Sequence, residues 1–132
     1  MKKIFYLFAI CFLFQQTALT QEGWFWQNPL PQGNTLYELF VFNDDTIIAV
    51  GLGGTILKST NSGTNWNIQS TGIWILSSIF FIDSNNGWVT GINQNHYGTI
   101  LKTIDGGNTW SIIHVNEVHD FHSVYFIDSD TG

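Results

Sequence analysis

The chain alternates short apolar runs with clusters of Gly, Asn, Asp and Ser. Leu39-Phe40-Val41-Phe42, Ile79-Phe80-Phe81-Ile82 and Val124-Tyr125-Phe126-Ile127 are three such runs. Each is followed at once by a polar cluster: Asn43-Asp44-Asp45, Asp83-Ser84-Asn85-Asn86-Gly87 and Asp128-Ser129-Asp130-Thr131-Gly132. β-Branched and aromatic residues bounded by turn formers predict strands, not helices. Few segments show a 3.6-residue period, and proline occurs only at Pro29 and Pro31, outside these strands.

The pattern repeats. Ala49-Val50-Gly51 aligns with Val89-Thr90-Gly91, Gly54-Thr55-Ile56-Leu57-Lys58 with Gly98-Thr99-Ile100-Leu101-Lys102, and Trp66 with Trp110. In the second copy strands are expected at about 77–82, 88–91 and 98–103, with a fourth from Trp110 to about Val115. Strand one is almost continuously apolar, so both its faces should be covered. Four-stranded units of about 40–45 residues covered on both faces are the blades of a β-propeller. The expected class is therefore all-β, with blades at 36–70 and 77–115 and the start of a third at 123–132. Trp26 stands thirteen residues before Leu39, as Trp66 stands before Ile79. That register makes 23–30 a lone fourth strand, which would close the last blade of a longer chain. Two blades and a beginning fall short of the roughly four to eight of a propeller, so an N-terminal fragment is expected.

Thr103-Ile104-Asp105-Gly106-Gly107-Asn108-Thr109-Trp110 joins strands three and four. Ser59-Thr60-Asn61-Ser62-Gly63-Thr64-Asn65-Trp66 is its earlier copy. Asp or Asn can accept hydrogen bonds from turn amides, glycine permits a backbone others resist, and tryptophan buries a large surface. Ser59, Asn61, Gly63, Trp66, Thr103, Asp105, Gly107, Thr109 and Trp110 are accordingly read as structural turn residues. Asn at position 61 can serve a turn but not an acid. These segments resemble the Asp-box, or bacterial neuraminidase (BNR), repeat. In that family the turn lies away from the active centre. The wider pattern, including "SSIFFIDSNNGWVTG" and "GTILKTIDGGNTW", resembles the photosystem II stability and assembly factor-like family, which has secreted, non-photosynthetic bacterial members. The resemblance covers nearly all of 23–132. It implies a propeller that binds partners instead of turning over substrates.

Residues 1–20 change the accounting. Lys2 and Lys3 precede the apolar run from Ile4 to Phe14, and Ala18-Leu19-Thr20 offers a cleavage site before Gln21. That is the pattern of a secretory signal peptide. Eleven apolar residues are too few for the roughly 20 of a membrane span. The expected location is secreted or cell-envelope, periplasmic or extracellular. Cleavage would remove Cys11, the only cysteine, and leave Lys58 and Lys102 against ten acids, a net charge of −8. With no arginine in the chain, a nucleic-acid partner is not expected, and the mature chain should have no transmembrane span.

The candidate chemistry is sparse. His114, His119, Asp120 and His122 cluster in sequence and include good zinc ligands, but 119 and 122 would face opposite sides of a strand. The Asp128–Gly132 segment begins like a calcium loop, yet it aligns with the turn at 83–87. The Gly51–Gly54 run lacks the following helix of a phosphate loop. No metal and no cofactor are expected. Asn93-Gln94-Asn95-His96-Tyr97 is different: it is where the second copy is longer, and loops carry binding. It is the candidate binding loop, suited by its amide and aromatic groups to peptides or sugars. Two functions follow. One is a non-catalytic scaffold binding protein or glycan. The other is a sialidase-like glycoside hydrolase with its catalytic residues in further blades. Sialidases clamp a carboxylate with arginines, and this chain has none.

Overall fold

The computed structural model describes residues 32–116 and 119–132. The segments read as a leader, 1–20, and as a lone strand, 23–30, lie outside them. Eight strands follow in order: β1 (Leu36–Val41), β2 (Ile47–Gly51), β3 (Thr55–Ser59), β4 (Asn67–Ser70), β5 (Ile75–Phe81), β6 (Gly87–Ile92), β7 (Gly98–Thr103) and β8 (Ser111–Asn116). β1–β4 form one antiparallel sheet and β5–β8 a second, each in sequence order. Antiparallel neighbours need only short hairpins, and the polar clusters supply them. Among the described residues there is no helix, hence none long and apolar enough to cross a membrane.

The two sheets are copies down to their irregularities. β1 bulges between Leu36 and Glu38, and β5 bulges between Leu76 and Ser78. Gly51 and Gly91 lie opposite these bulges. A side chain there would strike the carbonyl oxygens of Thr35 and Ile75, so glycine is required by close approach. Pairing across the second bulge carries β5 back to Ile75, opposite Ile92. Strand one thus begins two residues before the expected Ser77 and ends at Phe81. β6 is longer by a residue at each end than 88–91, and strand four begins at Ser111, one residue after Trp110.

The core lies between the sheets. Ile48, Val50 and Ile56 of the first pack with Leu76, Ile79 and Val89 of the second. Phe42 meets Phe81 edge-on, with centroids 4.7 Å apart. One side-chain-to-backbone bond recurs at this junction. Glu38 Oε2 accepts the Ile79 N–H at 2.6 Å, and Ser78 Oγ, forty residues on, accepts the Val124 N–H at 3.2 Å. Each sheet thereby holds the segment that follows it in the chain.

Covering of strand one differs between the copies. β5 is largely buried, as expected of a strand with two covered faces. β1 is mostly exposed, with Leu39 59% and Val41 53% accessible, because among the described residues only β5 packs across it. The stretch read as the start of a third blade, 123–132, carries no strand assignment. Residues 119–132 still dock on the second sheet: Phe126 stacks on Trp88 at 3.7 Å, and Ser77 Oγ donates to the Phe121 carbonyl at 2.6 Å. The architecture is that of two successive blades of a β-propeller.

Candidate functional site

A meander puts its turns at two ends. The β1–β2 and β3–β4 turns share one end of the blades. The β2–β3 turn, the β4–β5 connector and the β6–β7 loop share the other.

At the first end, Asp105 is the best-bonded carboxylate. Its Oδ1 accepts the N–H groups of Asn108 and Thr109 at 3.0 and 2.9 Å and the Thr103 hydroxyl at 2.8 Å. Its Oδ2 accepts the Thr109 hydroxyl at 2.6 Å. Thr103 Oγ1 in turn accepts the Gly107 N–H at 2.9 Å. These bonds, the Thr109 hydroxyl foremost, hold the Asp105 carboxyl far below its ordinary value. A carboxylate so bonded is fixed within its own turn and is ionised near neutrality, with no proton to give. Gly107 sits at φ 82°, in the left-handed region. Trp110 closes the turn against Phe81, 5.9 Å between centroids.

The earlier copy makes the same turn with fewer bonds. Gly63 N–H donates to Ser59 Oγ at 2.8 Å, Ser59 Oγ to Asn61 Oδ1 at 3.1 Å, and Asn65 N–H to Asn61 Oδ1 at 2.9 Å. Trp66 is half-buried beside it and lines a groove of about 510 Å³ with Lys58, Asn61 and Asn108. Lys58 Nζ crosses this groove to the Gly106 carbonyl at 2.9 Å and Asn108 Oδ1 at 2.8 Å. Gln69 Nε2 reaches the Gly107 carbonyl at 2.9 Å. The second turn is therefore strapped to the first blade. Sequence reasoning missed both straps; the recurrence of lysine at 58 and 102 was the available signal, though Lys102 instead lies over Trp88, 5.2 Å from its centroid.

Asp128 belongs to a series. Its Oδ1 accepts the N–H groups of Asp130 and Thr131 at 2.9 and 2.7 Å. Asp83 does the same for Asn85 and Asn86, and Asn43 for Asp45 and Thr46. All three are Asx turns. Bonds from Asn86 lower the Asp83 pKa, and bonds from Asp130 and Thr131 lower that of Asp128.

His114 stands on β8, 6.0 Å from the Phe121 ring. His119, Asp120 and His122 lie on a segment without strand pairing, so the expected alternation of faces does not arise. Among the described residues no three His, Cys, Asp or Glu side chains are grouped to hold a metal ion. At the Gly51–Gly54 run, Gly53 and Gly54 turn the chain directly into β3.

The second end holds the candidate binding loop. Asn93 organises it: its N–H donates to the Tyr97 carbonyl at 2.9 Å, its carbonyl accepts the His96 N–H at 3.0 Å, and its Oδ1 accepts from Asn95 and Tyr97. His96 is held at φ 64°, a conformation that costs an L residue roughly 1–2 kcal/mol. Its imidazole meets the Trp74 indole at 4.9 Å and 85°. Trp74, Gln94 and His96 line a recess of about 300 Å³. Trp74 comes from the β4–β5 connector, so the recess is built from two separate segments. The sequence singled out the loop and not this tryptophan.

Among solved structures, the fold is similar to that of YCF48 bound to D1 peptide, with a TM-score of 0.55 at 22% identity. The match covers 67% of this chain and 28% of the other, so the chain corresponds to less than a third of that neighbour's length. This likeness establishes the propeller fold. No family model and no curated protein matches the chain.

Proposed function

We propose that this chain belongs to a secreted or cell-envelope β-propeller of the BNR/Asp-box, photosystem II assembly factor-like kind, acting as a non-catalytic scaffold for a protein partner. One observation carries the reading. The best-bonded polar groups, around Asp105, Asp83 and Asp128, are consumed in repeated turns, while the Trp74–Gln94–His96 recess is open and unrepeated. That YCF48 is solved with a bound peptide supports a protein partner over a glycan. The recess lined by Trp74, Gln94 and His96 does not favour the glycoside hydrolase, since none of these side chains is a carboxylate. The leader at 1–20 supports placement outside the cytoplasm.

The test is site-directed photo-crosslinking in the source cells, with the full gene product carrying the reactive group at Gln94 or at Ile104. Ile104 is 72% exposed at the turn end. A discrete crosslinked protein from position 94 and not 104 is expected. No crosslink at either would overturn the scaffold reading. N-terminal sequencing of exported protein should begin at Gln21; a retained Met1 would overturn the leader.

A further inference from the structure

Repetition separates what the fold requires from what it merely tolerates. Steps of 40 residues (Leu39 to Ile79) and 45 (Ile79 to Val124) place Asn34, Trp74 and His119 at one register position. Across the repeat that position carries an amide, an indole and an imidazole, so the indole is not part of the repeated pattern. Trp74 nonetheless stands 41% exposed. A single exposed apolar side chain is ordinary, but this one is held. The backbone N–H of Trp74 donates to the Ile92 carbonyl at 3.1 Å, and its backbone carbonyl accepts the Gly53 N–H at 2.7 Å. The backbone is thus clamped between the end of β6 and the β2–β3 turn of the other blade. The ring facing it, His96, comes from a loop that the first copy lacks. That loop holds His96 in a left-handed backbone through the bonds of Asn93. Two rings at right angles, each on a fixed backbone, make a rigid corner with the Gln94 amide beside it.

We infer that this corner binds an extended, proline-containing peptide segment, an assignment that rests on the scaffold reading above. The three lining side chains carry no carboxylate, ammonium or guanidinium, so the ligand is not selected here by charge. Perpendicular aromatic surfaces suit a rigid apolar ring of pyrrolidine size. The polar inventory is one indole N–H, an amide and an imidazole, and all three can donate. A polyproline II segment suits such a site: its carbonyls are free, its prolines lack an N–H to satisfy, and it is already extended. A pyranose would bring several hydroxyls, each needing partners, to an open recess with three polar side chains. An amphipathic helix would need a groove spanning several turns. Two rings already placed on fixed backbones lower the ordering cost of binding.

The test follows the indole N–H resonance of Trp74, assigned with Trp74→Phe, in the full gene product. It is titrated with a synthetic proline-rich decapeptide, a Gly/Ser decapeptide and a neutral oligosaccharide. Saturable shifts with the proline-rich peptide alone are expected. Trp74→Ala and His96→Gly should each weaken binding by about tenfold, the scale of one lost aromatic contact. Glycine at 96 suits the left-handed backbone, so that variant removes the imidazole without disturbing the loop. Equal response to both peptides, response to the sugar alone, or no response would overturn the assignment. A position-94 crosslink to a protein that survives Trp74→Ala would also overturn it while leaving the scaffold reading standing. Loss of every crosslink from the parent chain would instead bring down the scaffold reading.

Discussion

At the scale of single residues, the turn carboxylate and the hydroxyls around it act as one unit. The folded-state pKa of Asp105 is depressed, so its contribution is present above the ordinary value of 3.8 and is lost as pH falls through the folded value. Asp105→Asn should therefore melt lower than the parent above pH 4, and the gap should narrow progressively as pH falls from 3.8 toward the depressed folded value. A gap independent of pH would contradict the bonded carboxylate. Thr103 is 1% exposed. Thr103→Val strands the buried Gly107 N–H and should cost about 1–3 kcal/mol in denaturant unfolding. Glu38→Ala removes the acceptor of a buried Ile79 N–H and should cost a similar amount, roughly 1–3 kcal/mol. A neutral result there would mean that water replaces the carboxylate. The Asp105 turn was legible because every partner lies within four residues of it. The Glu38 and Lys58 bonds were not. They span 41 and 48 residues, and only the packing of one blade on the next decides which atoms meet.

At the scale of elements, the hairpins are set by turn chemistry and the sheets by apolar strands. Leu101, 2% exposed on β7, belongs to the shared core. Leu101→Ala should cost about 2–5 kcal/mol, through lost burial and the cavity left behind. Ile104→Ala, at a 72% exposed position, should stay within roughly 0.5 kcal/mol. The four-strand unit was legible because period, turn residues and repeat spacing agreed. Strand ends were less so: the bulge at Leu76–Ser78 extends β5 backwards, and nothing in the residue pattern announces a bulge. Val124–Ile127 has strand composition, but strand assignment rests on pairing as well as composition. Trp74 escaped notice because it was read within a connector; its signal was its place opposite Asn34 and His119 in the repeat.

At the scale of the molecule, the blades present apolar surface beyond their own core. Leu39, Val41, Ile112, Ile113, Tyr125 and Ile127 are all more than half exposed. Residues 21–132 produced alone should bind a hydrophobic dye and associate with rising concentration. A monodisperse monomer that ignores the dye would show that these faces are covered from within. The same scale separates the two ends of the blades. One end repeats its turns and straps them together. The other carries the unrepeated loop and the clamped indole.

The most direct test of that division compares Asp105→Asn with Trp74→Ala for affinity toward the crosslinked partner, below the melting temperature of both. The account predicts that Asp105→Asn binds like the parent although it melts lower, while Trp74→Ala binds about tenfold more weakly. Weakened binding in Asp105→Asn with full binding in Trp74→Ala would contradict it and move the functional surface to the turn end.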